Sequence, residues 1–257
     1  MGGGKEANVT EVRIVLIVVG VGLILWGAYM GYRRRVMAAT PTIGAGDVAL
    51  VADAGREVRV EVTGEAAPGP DGLLTAPLSG TPCVWYRTSI ARMYEKWETD
   101  RNGNRRQVSG RNILCDQRSS EPFLITDVSG QVPVYPGKEE PDGAERVIDQ
   151  REYARGRLAD RAREIGVRAM ESGPGTTRGH HYQEWVIRPG TQLYVLGAVR
   201  AAEGIAIREP HDAPFIISTR DEETLSRSAR LQSIAGYVLG ALTLIGTVAW
   251  WIAAPTA

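Results

Sequence analysis

The stretch that decides the fold is Ile14 to Tyr32, IVLIVVGVGLILWGAYMGY, followed at once by Arg33-Arg34-Arg35. No charge interrupts it. At about 1.5 Å of rise per residue, a helix of this length crosses the ~30 Å hydrocarbon core of a bilayer. Trp26, Tyr29 and Tyr32 gather toward the arginine end, where amphipathic rings sit among headgroups. Three arginines at that end, against little basic charge at the other, hold it in the cytoplasm. A cleaved signal peptide has a shorter apolar region with its positive charge in front, so that reading is set aside. A second apolar run, 234–254, repeats the pattern in reverse: Arg220, Arg227 and Arg230 precede it and no Lys or Arg follows.

The expected organisation follows. Residues 1–13 are an exterior tail, 14–32 and 234–254 are transmembrane helices, and 33–45 form a basic juxtamembrane linker. Residues 46–219 form a domain at the inner face of the cell membrane, and 220–233 a juxtamembrane helix. Gly27 and Gly31 in the first span, and Gly236 and Gly240 in the second, stand four apart, a spacing that lets helices approach closely. The spans are expected to pack on each other through these faces, with a homo-oligomer through the same faces as the alternative.

The central region has the composition of one folded domain. Over the whole chain net charge is zero and charged residues make up 23%, with both signs mixed. A nucleic-acid partner is therefore excluded, since phosphate binding needs a basic surplus. Two cysteines, Cys83 and Cys115, give no disulfide framework and suit reduced thiols in a cytoplasmic domain. Asp47 to Ala54 reads as one short helix or strand. Strict alternation in Glu57 to Val62 predicts a half-buried strand, and Gly64 to Gly72 a turn-rich break. Cys83 to Tyr94 predicts a strand that turns at Asn102-Gly103 and returns over Arg111 to Cys115. Phe123 to Asp127 and Gln131 to Tyr135 form a further hairpin. Tyr153, Leu158, Ala162 and Ile165 predict one helix within Gln150 to Met170, ending near Gly166, with a flexible loop over Ser172 to Gly179. Four short strands are expected at Tyr182–Arg188, Gln192–Arg200, Ile205–Arg208 and Phe215–Thr219. Thr219 and Glu222 match a capping box for the helix that runs into the second span. The fold class is α+β: a mostly β domain of short antiparallel strands with one inserted helix, flanked by two transmembrane helices.

Candidate chemistry is sparse. His180-His181 would point to opposite faces of a strand, an arrangement that rarely binds one metal ion, so a solvated loop end is preferred. His211 belongs to an exposed turn. Cys83, in an apolar strand beside Trp85, reads as a core thiol rather than a nucleophile. Asp127, before Ser129-Gly130, reads as the organiser of a hairpin turn. No phosphate loop is present.

Several spaced segments, taken together, resemble a known family. Pro77-Leu78-Ser79-Gly80-Thr81-Pro82-Cys83-Val84-Trp85-Tyr86 is followed by Pro122-Phe123-Leu124-Ile125-Thr126-Asp127-Val128-Ser129-Gly130. Next come Tyr182-Gln183-Glu184-Trp185-Val186-Ile187-Arg188-Pro189-Gly190, Leu193-Tyr194-Val195-Leu196-Gly197, and finally Pro214-Phe215-Ile216-Ile217-Ser218. This order resembles the GIDE, or beside-a-membrane, domain of the MULAN/GIDE family. The motif residues carried over are Pro82, Cys83, Tyr86, Phe123, Asp127, Gly130, Glu184, Gly190, Tyr194, Gly197 and Ser218. The resemblance implies a two-span protein and, in eukaryotic members, a RING finger with E3 ubiquitin ligase activity. A RING finger needs about eight Cys and His zinc ligands, four per site, and this sequence holds two Cys and three His. The expectation is a non-enzymatic interaction or sensing module without cofactor, whose partners are the bilayer and a protein or ligand at the inner face. The alternative is a ligase-like member that needs a RING partner in trans.

Overall fold

The computed structural model of the chain describes residues 3–53, 55–100, 103–153, 156–167 and 173–253. These contain four α-helices, α1 (Gly3–Ala39), α2 (Val48–Val51), α3 (Arg157–Glu164) and α4 (Glu222–Ala253). The chain divides into two compact units. One holds Met1–Pro41, Asp212–Pro214 and Asp221–Ala257, the other Thr42–His211 and Phe215–Arg220.

The helical unit is α1 and α4 side by side. Both are long and apolar enough to cross a membrane. Gly27 faces Ser233 to Tyr237, Gly20 faces Gly240 and Leu244, and the Arg13 guanidinium lies 5.0 Å from the centre of the Trp250 ring. The two helices therefore run antiparallel. A Cβ on Gly236 would come within 2.8 Å of the Gly27 Cα, and one on Gly240 within 2.8 Å of the Gly20 oxygen. Only glycine permits that approach, and Ser233 Oγ uses it to donate to the Gly27 oxygen at 2.8 Å. The glycines named for a homo-oligomer are thus engaged within the chain. Val18, Leu25, Ile245 and Trp251 point outward, each more than 60% exposed.

The second unit is built on two antiparallel sheets. Its strands are β1 (Val58–Ala67), β2 (Leu74–Thr75), β3 (Pro82–Cys83), β4 (Trp85–Thr99), β5 (Arg105–Arg118), β6 (Phe123–Asp127), β7 (Gly130–Val134), β8 (Glu145–Glu152), β9 (Thr176–Ile187), β10 (Gln192–Val199) and β11 (Ile216–Ser218). One sheet has the order β11-β10-β1-β6-β7 and the other β5-β4-β9-β8, with β2 and β3 as a small pair. The chain crosses from the second sheet to the first between β9 and β10. Gly190 makes that turn at φ +78°, and its amide donates to the Ala66 oxygen at 2.8 Å. Val60, Val62, Phe123, Ile125, Val132, Val195 and Ile217 fill the core of the five-stranded sheet, joined by Trp85 and Ile187 from the β4 and β9 ends. Leu158, Ala159 and Ala162 of α3 pack against Ile90, Ile148 and Tyr182 of the four-stranded sheet. This is an α+β core with an inserted helix between two long apolar helices.

Several elements differ from the sequence expectations. Gln150 to Glu152 are strand, paired with Tyr182 to His180, and the helix is confined to Arg157–Glu164. The expected end near Gly166 lies close to the observed one; Met170, the far limit of the stretch read for this helix, lies outside the described residues, as do Asn102 of the Asn-Gly turn, Ser172 and Ala254. The expected loop end at His180-His181 is the middle of β9, and the strand reaches back to Thr176. β1 continues through the expected break to Ala67. Ile205–Arg208 makes only single bridges, Ile207 to Val134 and Arg208 to Ala198. The Thr219 hydroxyl donates to the Gly143 oxygen at 3.0 Å instead of capping a helix, and α4 starts at Glu222.

A packing contrast tests the helical unit. Gly236→Leu should lower the thermal stability of the full chain in detergent by about 1–3 kcal/mol, the scale of overpacking. Gly246→Leu should be neutral, because a Cβ there meets nothing within 4 Å.

Candidate functional site

The motif residues are scattered in sequence, and most of them are tied locally within the sheet unit. Glu184 is fully buried on β9. Its carboxylate accepts from the amides of Leu78 and Ser79, both at 2.8 Å, and from Thr88 Oγ1 at 2.9 Å. Among the described residues no basic side chain bonds this carboxylate; two backbone dipoles and a hydroxyl stabilise the charge instead. The loop so held closes on itself through the Gly80 amide to the Ala76 oxygen, 2.9 Å, and leads into β3.

Pro82 is exposed at the start of β3, and Cys83 after it is fully buried against Ala76 and Val186. The Cys83 thiol donates weakly to the Leu74 oxygen at 3.8 Å. Burial, then the nearby charge of Glu184, pushes its pKa up to about 11. A thiol in that state is protonated at neutral pH and unsuited to attack. Tyr86 is clasped through its backbone by Ser119, whose Oγ accepts from the Tyr86 amide at 3.0 Å.

Asp127 ends β6 and organises the turn into β7. One oxygen accepts from the Ser129 amide at 2.7 Å, the Ser129 hydroxyl and the Gly130 amide, and the other from the Ala45 amide at 2.8 Å. Burial opposes its ionisation, but the Ser129 hydroxyl and the three amides outweigh it and hold the carboxyl below its ordinary value. Gly46 passes so close to this turn that a Cβ would collide with the Ser129 oxygen. Phe123, at the start of the same strand, is core.

Tyr194 on β10 donates to Glu61 at 2.7 Å, and Thr42 Oγ1 donates to the other oxygen at 2.6 Å. Gly197 lies under Ile207 and Arg208, where a Cβ would come within 2.8 Å of the Arg208 oxygen. Ser218 Oγ accepts from the Arg220 amide at 3.0 Å. The motif therefore does not converge on one centre. It marks places where separate segments are tied together.

Glu61 and Arg92 are two such ties that sequence reasoning missed. Arg92 is buried, and its guanidinium donates to Thr177 Oγ1 at 2.7 Å and to the Gly175 oxygen at 2.9 Å. The histidine pair divides across the sheet: His180 is buried and His181 bonds Asp149 at 2.6 Å. His211 is exposed, 2.7 Å from Glu57. Among the described residues, no group of three or more His, Cys, Asp and Glu could hold a metal ion. One open groove of about 460 Å³ runs along Thr63, Gly64, Glu65, Thr126, Asp127, Val128 and Gln192. Its wall is tied across by Gln192 to Glu65 at 3.2 Å.

Two outcomes are expected from these ties. Iodoacetamide at neutral pH should leave Cys83 unmodified until the chain unfolds, and Cys83→Ala should cost about 1–3 kcal/mol. The Asp127 carboxyl has a folded pKa below its ordinary value, so its contribution is present above the unfolded pKa and is lost as pH falls through the folded one. The stability gap between the chain and Asp127→Asn should be full at neutral pH and shrink below about pH 4, read by denaturant unfolding at several pH values.

A family model described as GIDE, E3 ubiquitin ligase, matches residues 94–250. The matched region runs from the last part of β4 through most of α4, and the Pro82 to Tyr86 part of the motif precedes it. No curated protein and no solved structure matches the chain. With the match covering more than half of its length, the chain belongs to the GIDE family.

Proposed function

We propose that this chain is a membrane-anchored interaction or sensing module of MULAN/GIDE type, without an enzymatic step of its own. α1 and α4 are its two spans, making it a multi-pass protein of the cell membrane. The sheet unit lies on the cytoplasmic side, facing a protein or ligand at the inner membrane face. The boundaries are those of the sequence: spans at 14–32 and 234–254, domain at 46–219. The motif residues Pro82, Cys83, Tyr86, Phe123, Asp127, Gly130, Glu184, Gly190, Tyr194, Gly197 and Ser218 serve to hold that domain in shape. The observation that carries this reading is the use of the motif's polar groups. The carboxylates of Glu184 and Asp127 accept from amides and hydroxyls of the chain itself, and the Cys83 thiol is buried and protonated. Groups held that way build a scaffold rather than a nucleophile and base.

The family's description supports a second reading, a ligase-like member that supplies membrane location and substrate contact to a RING partner in trans. The two separate in one assay. Purified full-length chain, added to an E2 enzyme charged with ubiquitin, should leave the rate of ubiquitin discharge unchanged. Faster discharge by the chain alone would overturn the non-enzymatic proposal. Faster discharge only with a RING protein present would favour the second reading.

Topology gives an independent test. Reporters at either terminus should read exterior, and one inserted in the turn between β4 and β5 should read cytoplasmic. An exterior reading for that turn would reverse the assigned orientation.

A further inference from the structure

The helical unit carries a basic recess at the ends of its helices. Arg34 of α1, together with Glu222, Glu223, Ser226, Arg227 and Arg230 of α4, lines an open space of about 460 Å³. That size lies within the ~300–1,000 Å³ of small-molecule sites. Arg34 is seven residues beyond Gly27 on α1, and Arg230 is six before Gly236 on α4. At about 1.5 Å per residue both lie roughly 9–11 Å from the glycine contact. They are on the same side of it, just past the apolar runs. Two arginines from different helices thus stand at the level where lipid phosphates lie.

The charges are unequal. Arg227 is paired with Glu223 at 2.8 Å, whereas among the described residues Arg33, Arg34, Arg35 and Arg230 have no ion-pair partner. The recess itself is lined by three arginines and two glutamates. The surplus suits one net negative charge. The two glutamates oppose a multiply charged ligand.

We infer that this recess seats the headgroup of one singly charged anionic phospholipid with hydroxyls, of the phosphatidylglycerol kind. The phosphodiester lies against Arg34 and Arg230, and the hydroxyl-bearing end lies toward Ser226 and the glutamates. The inference deepens the membrane-anchored reading and rests on it. A lipid held there ties the two helix ends together at the membrane surface.

The test uses the full chain in detergent, titrated with phosphatidylglycerol, phosphatidylcholine or phosphatidylethanolamine and read by native mass spectrometry. Phosphatidylglycerol should bind in preference to the other two. Arg34→Gln with Arg230→Gln should weaken it roughly 30-fold, the loss expected for two juxtamembrane arginines. Arg34→Lys with Arg230→Lys should keep much of the affinity. Equal binding of the zwitterionic lipids, or an unchanged double Gln variant, overturns the inference. Displacement of the lipid by millimolar inorganic phosphate overturns it too, in favour of a soluble-phosphate site. A chain absent from the membrane fraction defeats the two-span reading and this inference together. A membrane-bound chain without lipid preference defeats the inference alone.

Discussion

A buried carboxylate met by amides and a hydroxyl, with no cation bonded to it among the described residues, holds the sheet unit together. Glu184 is fully buried, and three donors converge on it: the amides of Leu78 and Ser79 and the hydroxyl of Thr88. Burying an isolated carboxylate is costly, and leaving its partners unpaired is costly as well. Here each side meets the other's need, because the amides of an irregular loop would otherwise lack acceptors. The bonds join three parts of the chain: the loop before β3, strand β4 and strand β9. β9 then runs through Gly190 into β10, so the same strand that holds the loop also carries the chain from one sheet to the other.

The same device recurs at smaller scale. Glu61 accepts from Thr42 and Tyr194, and Asp127 accepts from Ala45 and its own turn. Both bring the segment that follows α1, residues 42–45, onto the five-stranded sheet. Arg92 does the converse, a buried cation held by loop carbonyls and the Thr177 hydroxyl. A domain fastened this way has its most recognisable residues inside.

The legible parts of the chain were those with strong apolar patterning. The two long helices, β1, the β6–β7 hairpin and β10 follow from runs and alternation alone. β9 was cut short because its first half, Thr176 to His181, carries Thr, Arg, Gly and His where a pattern search looks for Val or Ile, although His180 is buried there. β8 was missed because it is an edge strand whose charged side chains are largely exposed, and Tyr153 borrowed its neighbours for a helical period. Glu61 looked like the solvent side of a strand; the crossing of Thr42 beside it covers that side. Thr219 had the sequence of a cap, but the Gly143 carbonyl competed for its hydroxyl. At the candidate site, the motif carboxylates were visible in the sequence and their partners were not, since Leu78, Ser79, Thr88 and Ala45 contribute amides and a hydroxyl that any sequence offers everywhere.

The central claim is that a motif carboxylate fixes a loop rather than serving chemistry. Amide hydrogen exchange at Leu78 and Ser79, in the full chain and in Glu184→Gln, tests it most directly. The account predicts slow exchange at both amides in the parent chain. In the variant exchange should be faster at those two positions, while β1 and β10 keep their protection. Unchanged protection of Leu78 and Ser79 in a folded Glu184→Gln chain would contradict it.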